Sequence, residues 1–274
     1  MPHMVIPLLR YRGLIWQNAL ADVRHRYAGT SLGVVWNVMH PLAMISVYSI
    51  IFSQVMKPQL PGLHGAYAFP LYLCSGFLPW LAFSECITRG ASAFTENAAY
   101  LKKLPIPEPV FVAQAAASAT IGLGISFSLL LVISMIMGWR PTPWWLLLPL
   151  PLISLQALGF GMGLLLGTIN VFLRDVGQLL QVALQVAMWT VPVVYVADIL
   201  PAWARHVLSW HPVAPALFLV RDLFLYGHNP PAATRAAVPI TAFTWISLFA
   251  WPGVILAFAG FVFGKLRKEI RDVL

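Results

Sequence analysis

Charge is what this 274-residue chain has least of: 9% of its residues are Asp, Glu, Lys or Arg, while 59% are hydrophobic. Soluble domains carry roughly 25% charged residues, so composition alone places the chain outside that class. Cysteine is nearly absent as well. Cys74 and Cys86 lie in and just beyond one apolar run, where twelve residues of helix set them about 18 Å apart, beyond disulfide reach. Neither a disulfide framework nor a cysteine metal site follows. Asp198, His206 and His211 lie near one another in sequence but lack metal-ligand spacing. Phosphate-binding and hydrolytic motifs are missing too. The string "GFVFGKL" at 260–266 is one residue short of a phosphate loop between its glycines and has no Ser or Thr after Lys265. HExxH, GxSxG and paired intramembrane aspartates do not occur, which leaves a membrane-embedded hydrolase or transferase without its reacting groups. The apolar runs also lack the acidic residues expected of an ion-coupled transporter. The expectation is a protein that is not an enzyme and draws its energy from elsewhere.

What the chain does have is long uncharged stretches, at 31–56, 66–84, 109–139, 143–173, 176–197 and 236–264, with a mean hydropathy of +0.79. Each holds at least the ~18 residues a helix needs to cross about 30 Å of hydrocarbon. Helices are the form in which such runs satisfy their own backbone in lipid. The expectation is an all-α integral membrane protein of six transmembrane helices. It forms one domain over 1–274, with an interface segment at 1–30, the membrane region at 31–264 and a cytoplasmic tail at 265–274. No removable secretory signal is expected, because the first apolar run begins behind a long polar stretch and lacks a small-residue cleavage site. The pI of 9.8 raises the question of nucleic acid, and the distribution of charge answers it. With both termini cytoplasmic, twelve of the seventeen basic residues fall inside, and Lys57, Arg140, Arg205, Arg221 and Arg235 fall outside. The positive-inside rule accounts for that bias without a nucleic-acid partner.

Residues 8–27 read as an amphipathic helix lying on the membrane. Leu8, Ile15, Trp16, Ala19, Leu20, Val23 and Tyr27 share one face, and Arg10, Gln17, Asn18, Arg24 and His25 the other. Arg12 and Arg26 break the pattern and are expected to snorkel toward phosphates. Thr30–Ser31 then turns the chain into the first span. Spans one and two are joined by an outside loop with Pro58, Pro61 and Gly62, and Glu85 and Arg89 form an i, i+4 pair near the inner end of span two. In the cytoplasmic stretch 90–108, Ser92 or Thr95 is expected to cap a brief helix ending before Pro105. Span four carries Gly159, Gly161, Gly163 and Gly167, a small-residue pattern that lets helices approach closely. Between 198 and 235 lie two apolar halves too short to span, which read as re-entrant helices between spans five and six. Aromatic residues make up 13% of the chain, and their faces suit sliding contact with sugar rings. Trp36, Tyr48, Phe52, Trp80, Trp189 and Tyr195 are the candidates for lining a path.

The string "ALADVRHRYAGTSLGVVWNVMHPL" resembles the N-terminal signature of ABC-2-type permeases that export bacterial surface polysaccharides. Asp22, Arg24, Arg26, Tyr27, Ser31, Leu32, Gly33, Trp36, Pro41 and Leu42 carry that likeness. So do "LPWLAFSECITRGASAFTENAAYLKKLPIP", "NVFLRDVGQLLQVALQVAMWTVPVVY" and "WHPVAPALFLVRDLF", in the same order along the chain. The resemblance implies a homodimeric permease in a bacterial inner membrane, paired with two separate ATPase subunits that bind ATP and magnesium. The chain itself would then need no cofactor. Its cargo would be a lipid-linked polysaccharide, O-antigen or capsule, with a drug or lipid exporter of the same architecture as the alternative. Residues 8–27 would form the interface helix and 92–104 the coupling helix, with Glu96, Tyr100, Lys102 and Lys103 meeting the ATPase. Arg24, Arg26 and Tyr27 are the candidates for contact with that interface or with the lipid diphosphate, since an arginine fork suits phosphate.

Overall fold

The computed structural model describes residues 2–56, 60, 63, 65–227 and 240–273. Lys57, Pro58, Pro61, Gly62 and Arg235 lie outside these, as do the side chains of Asp198 and Arg271. Every named element is helical. Helices α1 (Pro2–Arg10) and α2 (Arg12–His25) are separated at Tyr11, so the expected single helix over 8–27 is two pieces. A 3₁₀ turn at Gly33–Val35 leads into α3 (Trp36–Ile50), which continues as a π turn through Ile51–Met56. Then come α4 (Ala68–Glu96), α5 (Ala98–Lys103), α6 (Pro109–Ile136), α7 (Pro149–Phe172) and α8 (Val176–Thr190). Two short helices follow, α9 (Ala202–Ser209) and α10 (Ala214–Arg221), and α11 (Ala242–Val273) is the last.

Among the described residues, five helices are long and apolar enough to cross a membrane: Gly33–Gln54, Ala68–Glu96, Pro109–Ile136, Pro143–Phe172 and Ala242–Ile270. The expected fifth run, 176–197, is different. Its helix α8 has 15 residues, about 22 Å of rise, short of the ~30 Å hydrocarbon thickness. Beyond Thr190 the backbone leaves the helix, although Val191 and Val193 stay fully buried. Proline at 192 removes a donor and restrains the residue before it.

Helix α4 is the axis of the fold. Most of its side chains from Ala68 to Phe94 are buried, against α6 on one side and α7 on the other. The α4–α7 seam depends on having no side chain at two facing positions. A Cβ on Gly90 would sit 2.8 Å from the Gly163 Cα, and one on Gly167 would sit 2.6 Å from the Gly90 carbonyl oxygen. Gly159 meets Cys86 one turn further along. The glycine pattern of span four is therefore a packing device. Asn170 Nδ2 donates to the Ala91 carbonyl at 2.9 Å along the same seam, and Ser154 Oγ donates to the Leu248 carbonyl at 2.5 Å, tying α7 to α11.

The segment expected as a cytoplasmic tail, 265–274, belongs to α11 through Val273. Ile270 is fully buried with Phe94, Leu101 and Phe263. Arg267 Nε reaches Glu108 Oε2 at 3.1 Å, and Glu108 is 1% exposed. A carboxylate this deep needs such a partner.

Candidate functional site

One end of the bundle collects charged and polar side chains from three helical segments. The last turn of α2 and the residue after it supply Asp22 and Arg26, α4 supplies Glu85 and Arg89, and α6 supplies Ser118. Arg26 Nη2 lies 2.6 Å from Glu85 Oε1, and Arg89 Nη2 lies 2.8 Å from Asp22 Oδ2. The two i, i+4 contacts, Arg89 to Glu85 at 3.3 Å and Arg26 to Asp22 at 3.8 Å, close the square. Ser118 sits at its centre. Its hydroxyl donates to Asp22 and accepts from Arg26 at 3.2 Å and Arg89 at 3.1 Å, which uses its one donor and two acceptor positions. Two positive and two negative charges balance. The four charged side chains are each about a third exposed, at 27–32%.

Burial alone would raise the Asp22 carboxyl. The Ser118 hydrogen bond, the charge and hydrogen bond of Arg89 and the charge of Arg26 outweigh it, and hold the group below its ordinary value of 3.8. Nearby, Asn18 Nδ2 donates to Gln114 Oε1 at 3.3 Å, so α2 meets α6 through polar groups at two successive levels.

This corrects two expectations. Part of the face of α2 expected to lie on the membrane packs against protein instead: Ala19 and Val23 are buried, and Asn18, Asp22 and Arg26 point the same way, while Trp16 is 55% exposed. Arg26 does not snorkel; it reaches Glu85, 59 residues along the chain. Sequence spacing revealed the Glu85–Arg89 half of the square. The Asp22–Arg26 half, spaced i, i+4 in the same way, was the available signal for the rest.

Beyond the square, Arg26 and Glu85 form one wall of a cavity of about 280 Å³ between α3, α4 and α6, shared with Tyr27, Trp36, Asn37 and His40. The chain is steered there by a tight turn. Thr30 Oγ1 donates to the Tyr27 carbonyl at 2.8 Å and accepts from Gly33 N at 3.2 Å. Gly29 and Gly33 take left-handed φ values of 89° and 48°, which favour glycine. Thr30 is thus the turning residue, as expected. Asn37 Nδ2 donates to the Val23 carbonyl at 2.8 Å, and Tyr27 and Trp36 approach ring to ring at 6.5 Å. Arg24 stands apart from the square, exposed on α2.

The α4–α5 corner is a second feature of the same end. Ser92 and Thr95 are not caps. Both lie inside α4, and their hydroxyls donate back to the Arg89 and Ser92 carbonyls. Asn97 takes the break between α4 and α5, and α5 does end before Pro105. Leu101, 1% exposed, pins α5 to the apolar cluster around Phe94 and Phe263. Glu96, Tyr100, Lys102 and Lys103 are all exposed on the corner.

The aromatic candidates divide. Trp80 is 3% exposed and packs on Phe83 at 5.7 Å, inside the core of the chain. Tyr48 stands edge-on to Phe77 at 5.4 Å, and Phe52 lies 5.0 Å from Phe69, leaving both partly covered. Trp36 and Trp189 are exposed, and the Tyr195 hydroxyl donates to the Trp189 carbonyl at 3.1 Å.

Comparison with known proteins resolves what kind of bundle this is. Residues 13–225, from α2 to the turn after α10, match the ABC-2 type transporter family. The chain belongs to that family. It is 29% identical over 276 residues, 99% of both chains, to the O-antigen export system permease protein RfbA of Myxococcus xanthus. It is 25% identical to a protein of the same name from Klebsiella pneumoniae, over 92% of each chain. A shorter likeness, 26% over 32% of each chain, is to the polysialic acid transport protein KpsM of Escherichia coli.

Proposed function

We propose that this chain is the permease subunit of an ATP-driven exporter that carries a lipid-linked surface polysaccharide, O-antigen or capsule, across the bacterial inner membrane. The observation that carries this is the likeness along essentially the whole chain to permeases named for O-antigen export. Six crossings with both termini inside are part of the reading, the fifth made by α8 together with the irregular segment that follows it. In this reading α9 and α10 dip into the outer leaflet as re-entrant helices.

The exposed α4–α5 corner suits a separate ATPase, which would bind ATP and magnesium. Glu96, Tyr100, Lys102 and Lys103 would seat there, with α2 alongside as the interface helix. A second copy of the chain accounts for α8. It buries only Leu180 within the protomer and exposes Leu179, Val182, Val186 and Trp189 along one face. Two protomers meeting there, with two ATPases below, would enclose a path flanked by Trp36, Trp189 and Tyr195. The cavity beside Tyr27 and Trp36 suits the head of a lipid-linked polymer. Because Glu85 holds Arg26, the exposed Arg24 is the arginine left to attract its diphosphate.

Deleting the gene in its host and fractionating surface and internal polysaccharide tests the reading. Loss from the surface with lipid-linked polymer building up inside is the expected result. Unchanged surface polysaccharide overturns it and leaves a drug or lipid exporter.

A further inference from the structure

The break after α8 runs through the protein interior. Val191 and Val193 are fully buried and Pro192 is buried with them, yet the backbone there makes no helix. Buried carbonyls outside a helix or sheet need donors from elsewhere, and irregular backbone at membrane depth is tolerated where protein covers it. One side chain supplies the donors. Arg221, the last residue of α10 and 3% exposed, donates from Nη1 to the Pro192 carbonyl at 2.5 Å and from Nη2 to the Val193 carbonyl at 2.8 Å. Its Nε donates to the Tyr72 carbonyl on α4 at 3.4 Å.

The charge is met as well as the geometry. The guanidinium lies 3.8 Å from the centre of the Tyr72 ring, and a desolvated cation–π contact of this kind is a favourable one. The neighbouring position on α4 is Gly76, where a Cβ would collide with Nη2; the missing side chain is the space the guanidinium occupies. The same tyrosine also touches the far side of the break, its hydroxyl donating to the Tyr195 carbonyl at 3.3 Å. Tyr195 in turn reaches back to Trp189. Residues 191 to 195 therefore form a loop whose shape is set by Arg221, Tyr72 and the gap at Gly76.

We infer that Arg221 is a positioning residue for export: its guanidinium clasps the carbonyls of Pro192 and Val193 and so fixes how the end of α8 presents Trp189 and Tyr195. The inference rests on the exporter reading for the meaning of that presentation. The clasp itself can be read without any cargo. A lysine at 221 keeps the charge but lacks the planar fork that bonds two carbonyls at once.

The test places a reporter cysteine at Val193 and labels membranes with a thiol reagent. Protein without the added cysteine gives the background, since Cys74 and Cys86 are both buried. The same Val193→Cys protein unfolded in denaturing detergent gives the fully accessible rate. With Arg221 intact, folded Val193→Cys is expected to label far more slowly than the unfolded protein. Arg221→Lys is expected to raise its labelling by about tenfold, through one or two lost hydrogen bonds, and to lower polysaccharide export per inserted protomer. Gly76→Ala should act in the same direction by displacing the guanidinium. Rapid labelling of Val193→Cys with Arg221 intact overturns the clasp whatever the substitutions do. Loosened labelling with undiminished export per protomer reduces Arg221 to a purely structural group and overturns the positioning role. An unchanged surface polysaccharide on gene deletion would overturn the exporter reading instead, and would leave the labelling result standing.

Discussion

Two arginine sites, one at each end of the bundle, deal with the same problem in different ways. At one end, Arg26 and Arg89 share two carboxylates and one hydroxyl, and each group has more than one partner. At the other end, Arg221 bonds main-chain carbonyls from two separate segments and lies over one aromatic ring. The charged square is partly in reach of solvent and electrically balanced, so losing one member leaves the rest able to rearrange. The Arg221 clasp is buried and its acceptors have fixed positions, so no side-chain rotation replaces a lost donor. Redundancy tolerates motion between helices and a single clasp does not. In the proposed exporter, that difference would suit an end beside which an ATPase acts and a loop at the opposite end held in one shape.

The sharpest way to break the comparison is to remove one arginine from each end. Arg221→Met keeps much of the volume but strands buried carbonyls and is expected to destabilise the detergent-solubilised protein by about 3 kcal/mol or more. Arg26→Met removes one member of a solvent-accessible network and is expected to cost about 1 kcal/mol. Thermal unfolding of the two variants side by side reads the difference. Equal losses would mean that the charged square is no more redundant than the clasp.

A smaller effect sharpens the account of the square. Glu85→Gln leaves an uncompensated positive charge, whereas Glu85→Gln with Arg26→Gln restores neutrality. The double variant should lose less than the sum of the two single ones, with a coupling of about 0.5–1 kcal/mol, as groups in one network are not independent. Strict additivity would show that the 2.6 Å contact between Arg26 and Glu85 contributes nothing to stability.

How far each site was legible in the sequence follows from how its partners are spaced. The long helices could be read because uncharged runs are a local signal, and so could the glycines of α7, because close packing asks for small residues one turn apart. Glu85 with Arg89 could be read for the same reason. Arg26 with Glu85 could not, because nothing local says that α2 lays Asp22 and Arg26 against α4. The run 176–197 read as one span because it carries no charge and its valines keep it apolar whether or not the helix continues. Pro192 was the only local mark of the break. Arg221 counted as one more basic residue outside the membrane, since burial of an arginine against carbonyls 28 and 29 residues away leaves no trace in spacing.

Acid provides the gentlest probe, and it should distinguish the two ends by order of failure. In the segment before α10, His211 Nδ1 accepts the Val213 N–H at 3.2 Å, which requires a bare nitrogen there. Burial also holds its imidazole below the ordinary value of 6.5. The unfolded chain therefore takes up this proton first, and the stability that neutral His211 provides declines as pH falls below about 6.5. Asp22 behaves in the opposite sense, because its folded form prefers to be charged. Its contribution is complete above the ordinary carboxylate value of 3.8 and is lost only as pH falls further, through the lower value of the folded state. Lowering the pH from 7 to 5 is thus expected to cost a small amount of stability that His211→Asn, whose amide oxygen accepts without titrating, does not lose. Over the same interval the stability difference between Asp22→Asn and the parent should stay constant, then shrink below pH 4. If the Asp22→Asn difference shrinks already between pH 7 and 5, the square is not holding that carboxylate charged, and the balance of charges assigned to it is wrong.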